Sequence, residues 1–367
     1  MLLFVAQEYN SYFGGGVITH RNLLMCQHAF GTENVKTFML PSRRGGIHTL
    51  LEFSTGYLMG LTKQLKDNLL ELLYRNKEIK FVFLDYSLHG RLAQIIKLKF
   101  PDIQIIIFFH NIEIKYFTLY LKTSKKLHHI IGLPSIILNE KKSIKYANHI
   151  ITLNSRDSDY LYNHFGRKAD LILATSIEDT FKKEKLVPVL KEQKISLLFV
   201  GSRFFPNEQG LEWFIKNVIP NVSNVHLKIV GNGFEALKTK WNSNSVEVIG
   251  SSSQLDNYYY EADLVIAPIF VGSGMKTKTA EALMYGKTIL ATTEAFEGYN
   301  IDKSLIGKEC NSANDYIEFI NTYQPPATYK FNSVSRSFFN NLYSFEIVKR
   351  QFENYILSLG DFIQQNK

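Results

Sequence analysis

A chain of 367 residues, 45% hydrophobic and 21% charged, is too long for one ordinary core and has the balance of globular domains, not of a disordered or fibrous chain. Two cysteines far apart, Cys26 and Cys310, exclude a disulfide framework and lack metal-ligand spacing. The net charge of +8 is uneven, because residues 1–185 hold 25 Lys and Arg against 16 Asp and Glu, while residues 186–367 hold 17 against 18.

The start, MLLFVAQEYN, has no basic leader. The apolar stretch IIGLPSIIL at 130–138 is interrupted by Gly132 and Pro134 and falls far below the roughly 20 residues that span a bilayer. A cytoplasmic protein is expected. Short apolar runs at 2–6, 35–40, 79–86, 103–110 and 149–154 read as strands covered on both faces, since they lack clean alternation. Helical patterns fit 17–30, 60–76, 89–100, 138–147 and 156–164, and this alternation predicts a parallel, doubly wound sheet. Lys122, Lys125, Lys126, Lys141, Lys142 and Lys145 concentrate the basic charge of this half. They suit an anionic partner, of which a membrane surface is expected and nucleic acid is not; a solvated helix face is the plain alternative.

A charged linker, 178–194, interrupts the pattern, which then restarts. Strands are expected at 195–201, 225–231, 246–250, 263–269 and 288–293, and helices at 208–219, 234–241, 254–262, 277–285, 313–323 and 334–358, the last with a break. The expected division is 1–185, 186–342 and a C-terminal helix, 343–367, returning to the first domain. In open α/β sheets ligands lie beyond the carboxyl ends of the strands, so the residues after each apolar run are the informative ones.

The segment 267–292, APIFVGSGMKTKTAEALMYGKTILAT, carries the strongest signal. Gly272, Ser273 and Gly274 form a small-residue loop before a helix start, where glycines admit close approach and free N–H groups attract anions. Lys276 and Lys278 sit at that end against the helix dipole, a costly arrangement unless an anion is also present. A diphosphate meeting Ser273, Gly274, Met275, Lys276, Thr277 and Lys278 fits, with Glu281 one turn further in for sugar or ribose hydroxyls. An ordinary strand–helix turn with exposed lysines is the competing reading. Asp157-Ser158-Asp159 has the form of a metal-binding pair, but it opens a helix, where Ser155 to Asp159 read as capping residues. No metal site is expected. Neither a Gly-x-Ser-x-Gly nucleophile turn nor the dinucleotide-binding Gly-x-Gly-x-x-Gly is present, which ranks a nicotinamide dehydrogenase lowest.

Glu281-Ala282-Leu283-Met284-Tyr285-Gly286-Lys287 resembles the donor-site signature of retaining glycosyltransferases of family 4, many from bacterial surface-polysaccharide synthesis. The resemblance extends to VGSRFFPNEQGLEWF (200–214), VGNG (230–233), VEVIG (246–250), Tyr12-Phe13-Gly14-Gly15-Gly16 and His110-Asn111-Ile112-Glu113. It implies the α/β GT-B fold, two Rossmann-like doubly wound domains facing across a cleft. It implies transfer of a sugar from a nucleoside diphosphate, UDP foremost, to the hydroxyl of a glycan or lipid-linked acceptor, without cofactor or metal. By the same resemblance His110 and Glu281 are the catalytic-site residues, Gly15 and Gly16 approach the donor phosphate, Arg203 binds the diphosphate, and Gly250 lies near the base. Two family positions depart here. Ser273 stands where many members have a second glutamate, and Asn207 to Gln209 fill the place of a phosphate-binding lysine, a charge that Lys276 or Lys278 is expected to supply. A nucleotide-sugar epimerase and a non-catalytic subunit of the same fold are the alternatives.

Overall fold

The structure, a computed structural model, describes residues 1–9, 15–42, 52–124, 127–189 and 194–365. The chain forms two compact units, Met1–Ala174 with Lys349–Lys367, and Thr175–Val348.

In the first unit six parallel strands lie in the order β2-β1-β3-β4-β5-β6. They are β1 Leu2–Gln7, β2 Val35–Leu40, β3 Phe81–Leu84, β4 Gln104–Phe109, β5 His149–Thr152 and β6 Leu171–Ile172. The intervening helices are α1 Gly15–Phe30, α2 Lys63–Arg75, α3 Gly90–Lys99, α4 Glu113–Ser124, α5 Leu127–Tyr146 and α6 Ser155–Phe165. Leu2 to Val5 and Ile105 to Phe109 are fully buried on both faces of the sheet, which is why these strands read as unbroken apolar runs. The 138–147 helix expected to begin after Pro134 instead runs through it as α5. Tertiary contacts offset the missing amide: Gly132 lacks the Cβ that would strike the Phe53 ring, and Ser135 Oγ donates to the Phe53 carbonyl.

The second unit holds another parallel sheet, ordered β12-β11-β10-β7-β8-β9. Its strands are β7 Ile195–Val200, β8 Val225–Val230, β9 Val246–Gly250, β10 Leu264–Ala267, β11 Thr288–Ala291 and β12 Gly307–Glu309. Its main helices are α7 Phe205–Asn217, α8 Leu255–Glu261, α9 Thr277–Met284, α10 Ala313–Thr322 and α11 Ser333–Phe338. A π-helical turn, Phe339–Tyr343, is the break expected within 334–358, and α12 Phe345–Gln365 follows. The chain works outward from β7 to β9, then crosses back to β10 beside β7. The topological switch point therefore lies between β7 and β10.

The first boundary falls at Ala174–Thr175, upstream of the expected 185, because the charged segment is pinned to the second unit. Ile177 pairs with Ser344, and Val187 to Val189 exchange backbone hydrogen bonds with Thr328 and Lys330. The last boundary, Val348–Lys349, lies inside α12, whose later residues pack in the first unit: Phe352 lies edge-on to Phe83 with centroids 6.2 Å apart.

Candidate functional site

Three elements converge at the switch point of the second sheet. Gly201 directly follows β7 with φ +153°, and a Cβ there would stand 2.8 Å from Lys278 Nζ and 3.0 Å from Asn207 Nδ2. Asn207 lies in the first turn of α7, and Lys278 in the first turn of α9. Lys278 Nζ donates to Asn207 Oδ1 at 2.8 Å and sits 4.2 Å from the centre of the Phe199 ring. The side chain is buried, and burial pulls its pKa down to about 7, with Glu281 opposing that shift and Lys276 adding to it. A buried cation held by a neutral carboxamide and an aromatic face has donor capacity left for an anion.

The start of α9 supplies more donors. The amides of Thr277 and Lys278, at its first two positions, have no acceptor within the helix. The next two are met internally, Thr279 N by the Lys276 carbonyl and Ala280 N by the Tyr299 hydroxyl at 3.0 Å. The preceding loop turns at Gly274, φ +63°, a left-handed conformation that favours glycine. Ser273 Oγ is buried without a hydrogen-bond partner among the described residues. Met275 is buried, and its sulfur accepts the Thr175 amide at 3.3 Å.

The two lysines of this loop, alike in the sequence, have different surroundings. Lys276 Nζ donates to the carbonyls of Ser273 and Gly274 and to Glu294 Oε1 at 2.8 Å, so its charge braces the loop. Arg203, expected at the diphosphate, has its guanidinium on the Glu208 carboxylate through Nε at 2.8 Å and Nη2 at 3.2 Å. That pairing raises its pKa. Gly250 ends β9, two strands from β7, where φ is +84° and a Cβ would meet Glu235.

Glu281 accepts the Tyr259 hydroxyl at 2.6 Å through Oε2. Burial raises its pKa, while Tyr259 and then Lys278 hold it down. The Tyr259 ring lies flat against Tyr285, centroids 4.8 Å apart. Tyr259 was not visible as a site residue, being one of three consecutive tyrosines with nothing in the spacing to single it out. Lys287, the last residue of the family-like signature, is structural. Its Nζ donates to the carbonyls of Tyr260 and Ala262 at the end of α8, and to that of Lys330.

The remaining expected residues belong to the first unit. Gly15 and Gly16 open α1, and a Cβ on Gly15 would meet nothing within 4 Å. Tyr12, Phe13 and Gly14 lie outside the described residues, as do Lys125 and Lys126. His110 follows β4 and is buried, its ring stacked on Tyr86 at 4.5 Å with Phe108 edge-on. Its Nε2 lies 3.3 Å from Asp85 Oδ2. Asp85 Oδ1 in turn accepts Asn22 Nδ2 at 2.6 Å, and Asn22 Oδ1 accepts from Arg21, whose pKa burial lowers to about 10. Asp85 follows β3 and Asn22 lies on α1, a combination that only the topology assembles. The cap of α6 is Asn154, one residue before the expected set, whose Oδ1 accepts the Asp157 amide at 2.8 Å. Asp157 is buried and Asp159 exposed, and the described residues contain no group of three His, Cys, Asp or Glu arranged for a metal.

Comparison with known proteins accords with this geometry. Residues 194–314 match the model of the family described as glycosyl transferases group 1. No curated protein matches the chain in sequence. Among solved structures, sucrose-phosphate synthase from Thermosynechococcus elongatus is similar with a TM-score of 0.70 at 14% identity, over 98% of this chain and 99% of that one. Anabaena HepE in complex with UDP is similar at 0.68 and 12%, over 97% and 99%. The lipopolysaccharide outer core galactosyltransferase WaaB, apo form, follows at 0.64 and 14%, over 98% and 99%. The two parallel six-stranded sheets have the GT-B fold that these solved structures share.

Proposed function

We propose that this protein is a glycosyltransferase that moves a sugar, with retention at the anomeric carbon, from a UDP-linked donor to the hydroxyl of a glycan or lipid-linked acceptor in surface-glycan synthesis. The observation that carries the donor reading is the buried Lys278 ammonium at the β7–β10 switch point, held by Asn207 and left with unspent donors. A diphosphate satisfies it, together with the free amides of Thr277 and Lys278. HepE, whose structures hold UDP and UDP-glucose, supports UDP as the carrier.

As the bond from the sugar to the phosphate breaks, negative charge grows on the leaving phosphate while the sugar carbon becomes oxocarbenium-like. Lys278 and the helix amides stabilise that charge, and fixed donors in a dry site do so without reorganising. The leaving phosphate oxygen accepts the proton of the acceptor hydroxyl, so the protein needs no nucleophile of its own. Glu281, oriented by Tyr259, takes hydroxyls of the ribose, and His110 takes the donor sugar. Arg203 and Lys276 join the phosphate site only by exchanging Glu208 and Glu294 for it. No metal takes part. The basic first half, with Lys141 and Lys145 exposed on α5, rests on the anionic inner face of the membrane.

The test is protection from thermal unfolding by a panel of nucleotide sugars, since a bound ligand raises stability by mass action. It is followed by proton NMR of the product anomer. Protection by UDP-sugars and a product with the donor's anomeric configuration are expected; an inverted product refutes retention. Ser273 in the place of a glutamate favours a second reading, a non-catalytic subunit, which predicts binding without any donor hydrolysis.

A further inference from the structure

Glu140 is a fully buried carboxyl group on α5 that none of the chemistry above uses. Its Oε1 accepts from Ser87 Oγ at 2.9 Å and from the Glu113 amide at 2.8 Å, and its Oε2 accepts from the Ile114 amide at 2.8 Å. Glu113 and Ile114 are the first two residues of α4, whose amides have no acceptor inside their own helix. A side chain 26 residues away in the sequence from Ile114 therefore caps α4.

The same stretch of α5 is fixed to the turn after β3. Ser143 Oγ donates to the Ser87 carbonyl, and Asn139 Oδ1 accepts the Arg91 amide at 3.0 Å. Gly90 makes this contact possible, since a Cβ there would stand 1.8 Å from the Asn139 carbonyl oxygen. Glu140 thus grips two turns at the carboxyl edge of one sheet. One turn carries Tyr86 directly before Ser87. The other, His110 to Ile112, links β4 to α4. Tyr86 and His110 are the two rings that stack between those anchor points.

We infer that Glu140 is a positioning residue for His110: it joins the turn bearing Tyr86 to the turn bearing the histidine and so sets where the imidazole stands. This rests on the reading of His110 as a donor-sugar contact. A glutamine at 140 presents an NH2 where one of the three donors now finds an oxygen, so one anchor is lost while size is kept. Misplacing a group that acts on the reacting sugar lowers turnover more than it lowers nucleotide affinity.

The experiment uses the full chain labelled with 15N-histidine, with the His110 ring signal assigned by its loss in His110→Gln. In Glu140→Gln the His110 signal is expected to shift or broaden, and kcat to fall about tenfold. The donor KM and UDP affinity should stay within roughly twofold, and Glu140→Asp should recover part of the turnover. Ser87→Ala, which leaves the α4 cap in place, should move the same signal less and serves if Glu140→Gln does not fold. Parental His110 signals and parental kcat in the folded variants overturn the inference. A parent that turns over no nucleotide sugar sinks the functional reading instead, while the ring signal still decides whether Glu140 places His110.

Discussion

Lys278 Nζ lies 2.8 Å from the carboxamide oxygen of Asn207, and among the described residues no carboxylate stands within ion-pair distance of it. The resemblance left Asn207 to Gln209 where a lysine is common, and the structure sets a lysine from another helix directly against Asn207. The charge arrives from α9 and the asparagine holds it.

Donor binding should therefore depend on pH in a defined direction. Burial has brought Lys278 to about pH 7 in the free chain, and a diphosphate favours the ammonium. Affinity for UDP should fall by up to about tenfold per unit as pH rises above 7, with proton uptake seen by calorimetry in two buffers of different ionisation heat. Lys278→Met should abolish the uptake and cost roughly ten- to a hundredfold in affinity. For the free chain the sign reverses: the unfolded state holds this proton up to about pH 10, so stability on this account rises between pH 7 and 10. Pure buffer-independent binding heat would contradict the assignment.

Glu281→Gln should lower kcat/KM for the donor about ten- to a hundredfold, and Glu297→Gln should leave it near the parent value. Tyr259→Phe should fall between them, because it frees the carboxylate without removing it. All three need melting temperatures near the parent's for the comparison to stand. Parental donor kinetics in a folded Glu281→Gln would falsify the site drawn around residues 272–281.

Lys287→Met should destabilise the second unit by about 3 kcal/mol, since three buried carbonyls lose their donor together. That corresponds to a fall of roughly 6–12 °C in its melting temperature. Donor KM measured well below that temperature should not change. A lysine that bound substrate would show the opposite pattern.

Activity should survive excess EDTA, the phosphate charge being met by an amine and a helix end. Loss of turnover restored by manganese would bring Asp157 and Asp159 back into the account.

Liposome sedimentation should show binding to anionic vesicles that weakens with salt, each surface Lys or Arg contributing roughly 1 kcal/mol. Removing the α5 charges by Lys141→Gln with Lys145→Gln should weaken it. Equal binding to neutral vesicles would refute an electrostatic attachment.

Much of the frame was legible because both sheets are buried on two faces and their central strands are solid apolar runs. The edge strands were not. Gly307-Lys308-Glu309 carries no apolar signal although it pairs in register with β11, and β6 is two residues long. The start of helix α4 is illegible for a different reason: it is fixed by Glu140, which no local pattern reveals. At the site, the sequence showed two lysines at a helix start but not which one was spent. That depended on Glu294 and Asn207, 18 and 71 residues away from their lysines.

The way α12 divides between the units has a consequence for how the protein is made. Phe352 packs on Phe83, and Tyr355 meets His149 at 2.9 Å, so residues from the end of the chain complete a sheet begun at its start. On the ribosome the whole of Thr175–Val348 must be synthesised between the two parts. At roughly 5–20 residues per second that leaves this apolar face of the first sheet uncovered for on the order of ten to thirty seconds. The second unit, contiguous in sequence, waits for nothing; it can finish folding while the earlier-born one is still missing its last helix.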